Sequence, residues 1–223
     1  MHKGEMAFVL GNGWSIKYYD VKKLSQFGTL IGCNLAATRY PVDYLVFQDT
    51  GVVDKCKDFK GIKFCPYGRC VRKNLDPETT FFIHSARMAI DDPARVELMH
   101  SGGMALQIAS VLGFKEIILV GCDCCMLEDE ELKEMRSNIF EDKHVKRVQA
   151  RKRGGMLKTV KTEHGVYKTV SQLIRFARKF DSLYEKLTKN NDLEVYRLGR
   201  WGILNIPIIE YKPFWSKAHP DIR

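Results

Sequence analysis

Short runs of consecutive apolar residues recur along this chain, and most of them end in glycine, asparagine or aspartate. Met6–Leu10, Thr29–Cys33, Tyr44–Gln48 and Ile62–Cys65 read as strands, and Phe81–His84 repeats the pattern more thinly. Ile117–Val120 is apolar throughout, and Leu193–Leu198 is the last such run before an apolar stretch at Ile203–Ile209. Runs without polar alternation suit strands buried on both faces, as in a parallel sheet. Helical spacing fills the gaps. Met99–Leu112 places small and apolar residues on a helical repeat and stops at Gly113, a C-cap residue. From Thr169 to Thr188 an apolar stripe carries Val170, Leu173, Ala177, Phe180 and Leu183. This order predicts an α/β fold: one Rossmann-like domain over residues 1–223, with a mainly parallel sheet and helices on both faces. Residues 128–164, where helical and basic character mix, read as a long lid segment.

Ligands of such sheets bind beyond the carboxyl ends of the strands, where the strand order reverses. Four polar strand ends qualify: Gly11-Asn12-Gly13, Cys33-Asn34, Gln48-Asp49-Thr50 and Gly121-Cys122-Asp123. The first is no dinucleotide fingerprint, because it lacks the third glycine and the following acidic residue. It also lacks the Gly-Lys-Ser/Thr ending of a phosphate loop. Two readings stand: a space-saving turn, or a binding loop whose glycines let backbone approach a phosphate or ribose while Asn12 offers a donor and an acceptor. Ser101 reads as a helix N-cap, and Gly102-Gly103 bring that helix start close to whatever lies above the sheet. Asp123 stands at the tip of the apolar strand that follows.

Composition changes this picture in two places. The formal charge of +9 is concentrated, with Lys143, Lys146, Arg147, Arg151, Lys152, Arg153, Lys158 and Lys161 in one segment. Such a run suits a nucleotide, a nucleic acid or another polyanion, and its plain alternative is a solvated face. The seven cysteines are odd in number and lie in or beside apolar segments, which fits reduced thiols in a cytoplasm. Cys65-x4-Cys70 and Cys122-x-Cys124-Cys125 lack compact zinc-ribbon spacing, so no metal site is assigned. No apolar run reaches the roughly 20 residues of a membrane helix, and Met1–Glu5 lacks the apolar core of a secretory signal. With no Gly-x-Ser-x-Gly elbow, nucleophilic catalysis is disfavoured. His164 is the leading candidate for a general base, since histidine titrates near neutrality.

Taken together, "VLGNGWSIK", "GCN", "FQDTG", "HSGGMALQIASVLGFKEIILVGCD" and the block from His164 to Glu210 resemble the bacterial sialyltransferases that build lipooligosaccharide outer cores. They are also similar to a wider group containing a flagellin-glycosylation domain and the archaeal hydroxymethylpterin pyrophosphokinase. The resemblance implies that Gly11, Asn12 and Gly13 cradle a nucleotide. Asn34 would hold its sugar or phosphate, and Ser101 with Gly102 would line the pocket floor. His164 falls on the general base of those enzymes. Trp14 stands in place of their proline, Asp49 in place of a nucleotide-binding asparagine, and Cys125 in place of a tyrosine that stabilises the departing phosphate. Their basic-aromatic membrane-associating tail has no counterpart here.

The expected activity is transfer of a sugar from a nucleotide-sugar co-substrate, CMP-linked by the resemblance, to a hydroxyl acceptor. His164 takes the proton, Asp49 and Asp123 complete the donor pocket, and Lys146, Arg147, Arg151, Lys152, Arg153 and Lys158 face the phosphate. No cofactor is required, although Mg²⁺ is compatible with the chemistry. The basic run extends the expectation to DNA as acceptor, through a hydroxymethylated base. Two rivals remain: a pterin-type pyrophosphokinase using ATP, and a non-catalytic nucleic-acid-binding module. The first needs several acidic ligands at strand ends, and the second has no use for the Gly-Asn-Gly pocket.

Overall fold

The computed structural model describes residues 5–56, 58–67, 75–83, 96–129, 134–140, 157–189 and 192–222. The predicted runs become β1 (Met6–Leu10), β2 (Thr29–Cys33), β3 (Tyr44–Val46), β4 (Ile62–Pro66), β5 (Thr80–Ile83) and β6 (Glu116–Val120). Two antiparallel pairs follow, β7 (Leu127–Asp129) with β8 (Glu134–Arg136) and β9 (Leu157–Thr162) with β10 (Gly165–Val170). Then come β11 (Glu194–Leu198) and β12 (Ile208–Ile209). Eight strands form one sheet in the order β12-β11-β6-β1-β2-β3-β4-β5, and every pairing in it is parallel. The chain leaves β1 towards β2 and later returns to β6 on the other side of β1. The order therefore reverses between β1 and β6.

Residue alternation along the central strands divides the interior into two cores. Ala7 and Val9 of β1 and Ile117 and Leu119 of β6 point to one face. There they meet α3 (Ser101–Leu112) and α4 (Ser171–Lys189), whose buried stripe is Leu173, Ala177, Phe180 and Leu183. Phe8, Leu10, Ile118 and Val120 point to the other face. Helices cover that face as well, but short ones: α1 (Val21–Leu24) and α2 (Thr50–Lys55), with the Trp14–Tyr18 turn and Phe214 filling the gaps. A strand that must fill two cores cannot alternate with polar residues, which is why β1 and, after Glu116, β6 are apolar.

Three expectations need correction. The N-cap of α3 is His100, whose Nδ1 accepts from the Gly103 N–H at 3.1 Å, while Ser101 sits inside the first turn. The predicted amphipathic helix begins at Ser171, because Thr169 and Val170 belong to β10. Residues 128–164 are no uninterrupted loop: β8 and β9 lie within them, and β7 reaches into their start. The β9–β10 hairpin escaped the sequence reading because one of its faces is wet. Val166 and Lys168 are exposed while Tyr167 and Thr169 are buried, so no continuous apolar run marks it. It docks on the segment after β6 through a Met126 N–H bond to the Lys168 carbonyl (2.8 Å) and a Thr169 hydroxyl bond to the Cys124 carbonyl (2.9 Å). Residues 141–156, the middle of the predicted lid, lie outside the described residues.

Candidate active site

Beyond the carboxyl ends of β1, β2, β3 and β6 lies a cleft of about 660 Å³. All eight residues nominated for a donor nucleotide line it: Gly11, Asn12, Gly13, Asn34, Asp49, Ser101, Gly102 and Asp123. Residues up to 112 positions apart in sequence meet there because β1 and β6 are neighbours in the sheet.

The glycines of the first loop are explained by packing. The Gly11 N–H bonds to the Val120 carbonyl and the Gly13 N–H to the Gly121 carbonyl, each at 2.7 Å. A Cβ at Gly11 would stand 2.2 Å from the Gly121 carbonyl oxygen, and one at Gly13 would stand 2.5 Å from an Asp123 carboxylate oxygen. Neither glycine has a positive φ. Their amides are thus spent on the end of β6, which corrects the expectation that they approach a phosphate. Asn12 is the residue left over. Its backbone carbonyl accepts from Ile139, but its buried Oδ1 has no partner among the described residues. A buried acceptor without a donor costs about 1–3 kcal/mol, so Asn12 is the point in this loop where a ligand donor would be rewarded.

Asn34 takes the left-handed conformation (φ 51°), which asparagine tolerates better than most residues. Its Oδ1 accepts from the Ser101 hydroxyl at 2.8 Å. That bond fixes the amide orientation and leaves the Nδ2 group as the donor towards the cleft. Ser101 therefore acts by orienting Asn34.

Asp123 is buried and holds Ser15 with both oxygens, one accepting from the Ser15 N–H at 2.9 Å and the other from its hydroxyl. Burial pushes its pKa up to about 6, against the opposing pull of the Ser15 bonds and the Arg197 charge. The carboxylate latches the first loop to the end of β6. Asp49 differs. It precedes α2, makes no side-chain cap bond and is exposed at the cleft wall. Lys55, at the other end of α2, is the one lysine or arginine among the described cleft residues.

His100 also lines the cleft, and the sequence reading missed it. With Nδ1 accepting from Gly103, the Nε2–H must donate to the Phe176 carbonyl at 3.2 Å. The ring lies against Phe176 and Phe180, and burial pulls its pKa down to about 4. It is a neutral structural histidine at neutral pH. Its one sequence signal is the position just before a helical Ser-Gly-Gly. Cys33, Cys122, Cys124 and Cys125 lie on the cleft floor, and burial raises all four thiols, Cys33 to about 12. Among the described residues no three of His, Cys, Asp and Glu stand together as metal ligands.

The structure does not bring His164 into this cleft. It sits at the turn between β9 and β10, with Nε2 2.8 Å from a Glu163 carboxylate oxygen, and lines a second hollow of about 690 Å³. Lys158 is exposed on β9 and lines neither space. Lys146, Arg147, Arg151, Lys152 and Arg153 lie outside the described residues.

The fold has counterparts among solved structures. The chain is similar to the MAf glycosyltransferase from Magnetospirillum magneticum AMB-1, with a TM-score of 0.62 and 13% identity over 100% of this chain and 36% of that one. It is also similar to the sialyltransferase CstII from Campylobacter jejuni, in a complex with the substrate analogue cytidine-5'-monophosphate. There the TM-score is 0.53 and the identity 14%, over 97% of this chain and 89% of the other. The fold is that of these glycosyltransferases. This chain spans about a third of the length of the MAf glycosyltransferase, the 36% given above. No protein-family model and no curated protein matches the sequence. Among the described residues no helix is long and apolar enough to cross a membrane.

Proposed function

We propose that this chain is a glycosyltransferase that holds a nucleotide-linked sugar in the cleft between β1, β2, β3 and β6 and passes the sugar to a hydroxyl acceptor. The observation that carries the proposal is the convergence of all eight nominated residues on one hollow with complementary polar groups. Asn12 Oδ1 lacks a donor among the described residues, and Asn34, whose Oδ1 is taken by Ser101, keeps its Nδ2 group as a donor in a residue that lines the cleft. A CMP-linked sugar carries both an amino or hydroxyl donor and carbonyl, ribose and phosphate acceptors. The shared fold with a sialyltransferase studied with cytidine-5'-monophosphate supports that choice of nucleotide.

In the step itself, the bond from the anomeric carbon to the phosphate oxygen breaks and its electron pair leaves with the phosphate. The acceptor oxygen bonds to the anomeric carbon and its proton passes to a base. Within the cleft that base is Asp49, whose exposed carboxylate has no partner among the described residues. His164 would have to act from the second hollow, and Asp123 is engaged by Ser15. Lys55 offsets the charge of the leaving phosphate.

The pyrophosphokinase alternative asks for several free carboxylates at the strand ends, and among the described cleft residues Asp49 is free while Asp123 is engaged by Ser15. A hydroxymethylated base as acceptor draws on the basic run, of which Lys158 and Lys161 are the described members. Thermal melting with CMP, UMP, AMP, GMP and their sugar conjugates tests the reading. A cytidine compound should raise the midpoint most, and failure of every nucleotide to raise it would overturn the proposal.

A further inference from the structure

The second hollow is built around a buried guanidinium. Arg197, on β11, is 5% exposed and lines the hollow with Lys161, Glu163, His164, Tyr184 and Asn205. Its Nε donates to the Ile206 carbonyl at 3.1 Å and its Nη1 to the Trp201 carbonyl at 3.1 Å. The Arg200 and Gly202 carbonyls lie at 3.4 and 3.5 Å from the same nitrogen. These bonds fix the plane of the group and engage two of its three nitrogens, Nε and Nη1. The Nη2 edge has no partner among the described residues, and none of their carboxylates forms an ion pair with Arg197. Carbonyl dipoles satisfy N–H groups but do not cancel a full charge, and Asp123, Glu163 and Asp181 act on Arg197 at longer range than a contact ion pair. Burial pulls the Arg197 pKa below the ordinary guanidinium value, against the opposing pull of Tyr167, Asp123, Cys125 and Glu163.

Two features set this hollow apart from a solvated patch. A guanidinium locked in one orientation presents its charge and the two N–H groups of Nη2 to an oxyanion, with little entropy left to lose. Lys161 adds a second, exposed cation. Glu163 opposes both: its side chain is 80% exposed and turned onto His164 Nε2 at 2.8 Å. Two further acids act on Arg197: Asp181 accepts from the Asn205 backbone N–H at 2.8 Å, and the buried Asp123 is held by Ser15.

We infer that this hollow is a second binding site, distinct from the cleft, for a small oxyanion group, a phosphate or a carboxylate, gripped by Arg197 and Lys161. The site does not depend on the glycosyltransferase reading. It gives His164 a place as a neighbour of the bound anion.

The test is NMR of the full chain carrying ¹³C,¹⁵N-labelled histidine, with the His164 ring assigned from its loss in His164→Gln. Inorganic phosphate and acetate are titrated separately, each against sodium chloride at matched ionic strength. One or both anions should shift the His164 ring saturably beyond the chloride control, and the one that saturates at lower concentration identifies the group. Arg197→Gln should abolish saturation. Where that variant does not fold, two exposed changes decide. Lys161→Glu should weaken binding roughly five-fold or more and Glu163→Gln should tighten it by a similar factor, about the value of one surface charge. Asn12→Ala, in the cleft, should leave the titration unchanged. No saturable shift with either anion would overturn the proposal, as would a shift indifferent to both the Lys161 and Glu163 changes.

Discussion

The cleft and the second hollow are nearly equal in size, about 660 and 690 Å³, yet they are made in opposite ways. The cleft collects strand ends, and most of its polar groups are uncharged amides, hydroxyls and backbone. The hollow collects a hairpin turn, one strand, a helix flank and the chain after β11, and its chemistry is ionic. A cleft of directional donors and acceptors can choose among nucleotides. A hollow of charges selects for little beyond sign and size. The comparison teaches that His164 and the Gly-Asn-Gly loop, which the sequence suggests as partners in one reaction, belong to different environments.

The largest effect that would break this division concerns the base. On the proposed mechanism Asp49→Asn should cut single-turnover sugar transfer by roughly 10²–10⁴-fold with nucleotide affinity nearly kept. His164→Ala should leave the rate within a few-fold of the parent. The reverse pattern would hand the role to His164 and join the two spaces functionally. Next comes Gly13→Ala, whose new methyl would meet the Asp123 carboxylate at 2.5 Å. Overpacking of this kind costs about 1–3 kcal/mol, to be read from denaturant midpoints. Asn12→Ala should weaken nucleotide binding by a similar ~1–3 kcal/mol in calorimetry while leaving the midpoint of unfolding almost unchanged.

The smallest expected effect sharpens the comparison through pH. Asp123 has a folded pKa near 6, above the value of 3.8 for a free side chain. Between those values the folded state keeps a proton that the unfolded state has lost. Its contribution to stability is therefore full below about pH 4 and declines as pH rises through 6. The difference in melting temperature between the parent and Asp123→Asn should vary across this window and level off above it. A flat difference would show that the latch carboxylate titrates normally.

Much of the cleft was legible in the sequence because parallel strands buried on both faces announce themselves as unbroken apolar runs, and the residues that end them are the cleft. The orientation of Asn34 by Ser101 was not legible, since it joins a strand end to a helix start 67 positions apart. The His100 cap was missed because its imidazole does the work usually given to serine or aspartate. The hollow was hidden for a different reason. Arg197 lies on a strand among apolar residues, and nothing in "EVYRLG" distinguishes an arginine caged by carbonyls from one that points to water. The hairpin beside it was read as loop and basic lid because its strands are half exposed and rich in lysine and threonine.

The position of β1 has a bearing on how the chain comes into being. β1 precedes every other strand of its sheet in the chain, yet one of its two sheet partners, β6, pairs Met6 with Glu116 and so follows roughly a hundred residues later. At about 5–20 residues per second, that edge stays open for roughly 5–20 s, and it belongs to the most apolar strand in the early part of the chain. Until β6 docks there is no Asp123 to hold Ser15 and no carbonyl to receive Gly11 or Gly13, so the cleft cannot form before β6 is made. A nascent chain stalled before β6 would present a bare β-edge instead of a binding site, a template for aggregation and a natural target for chaperones.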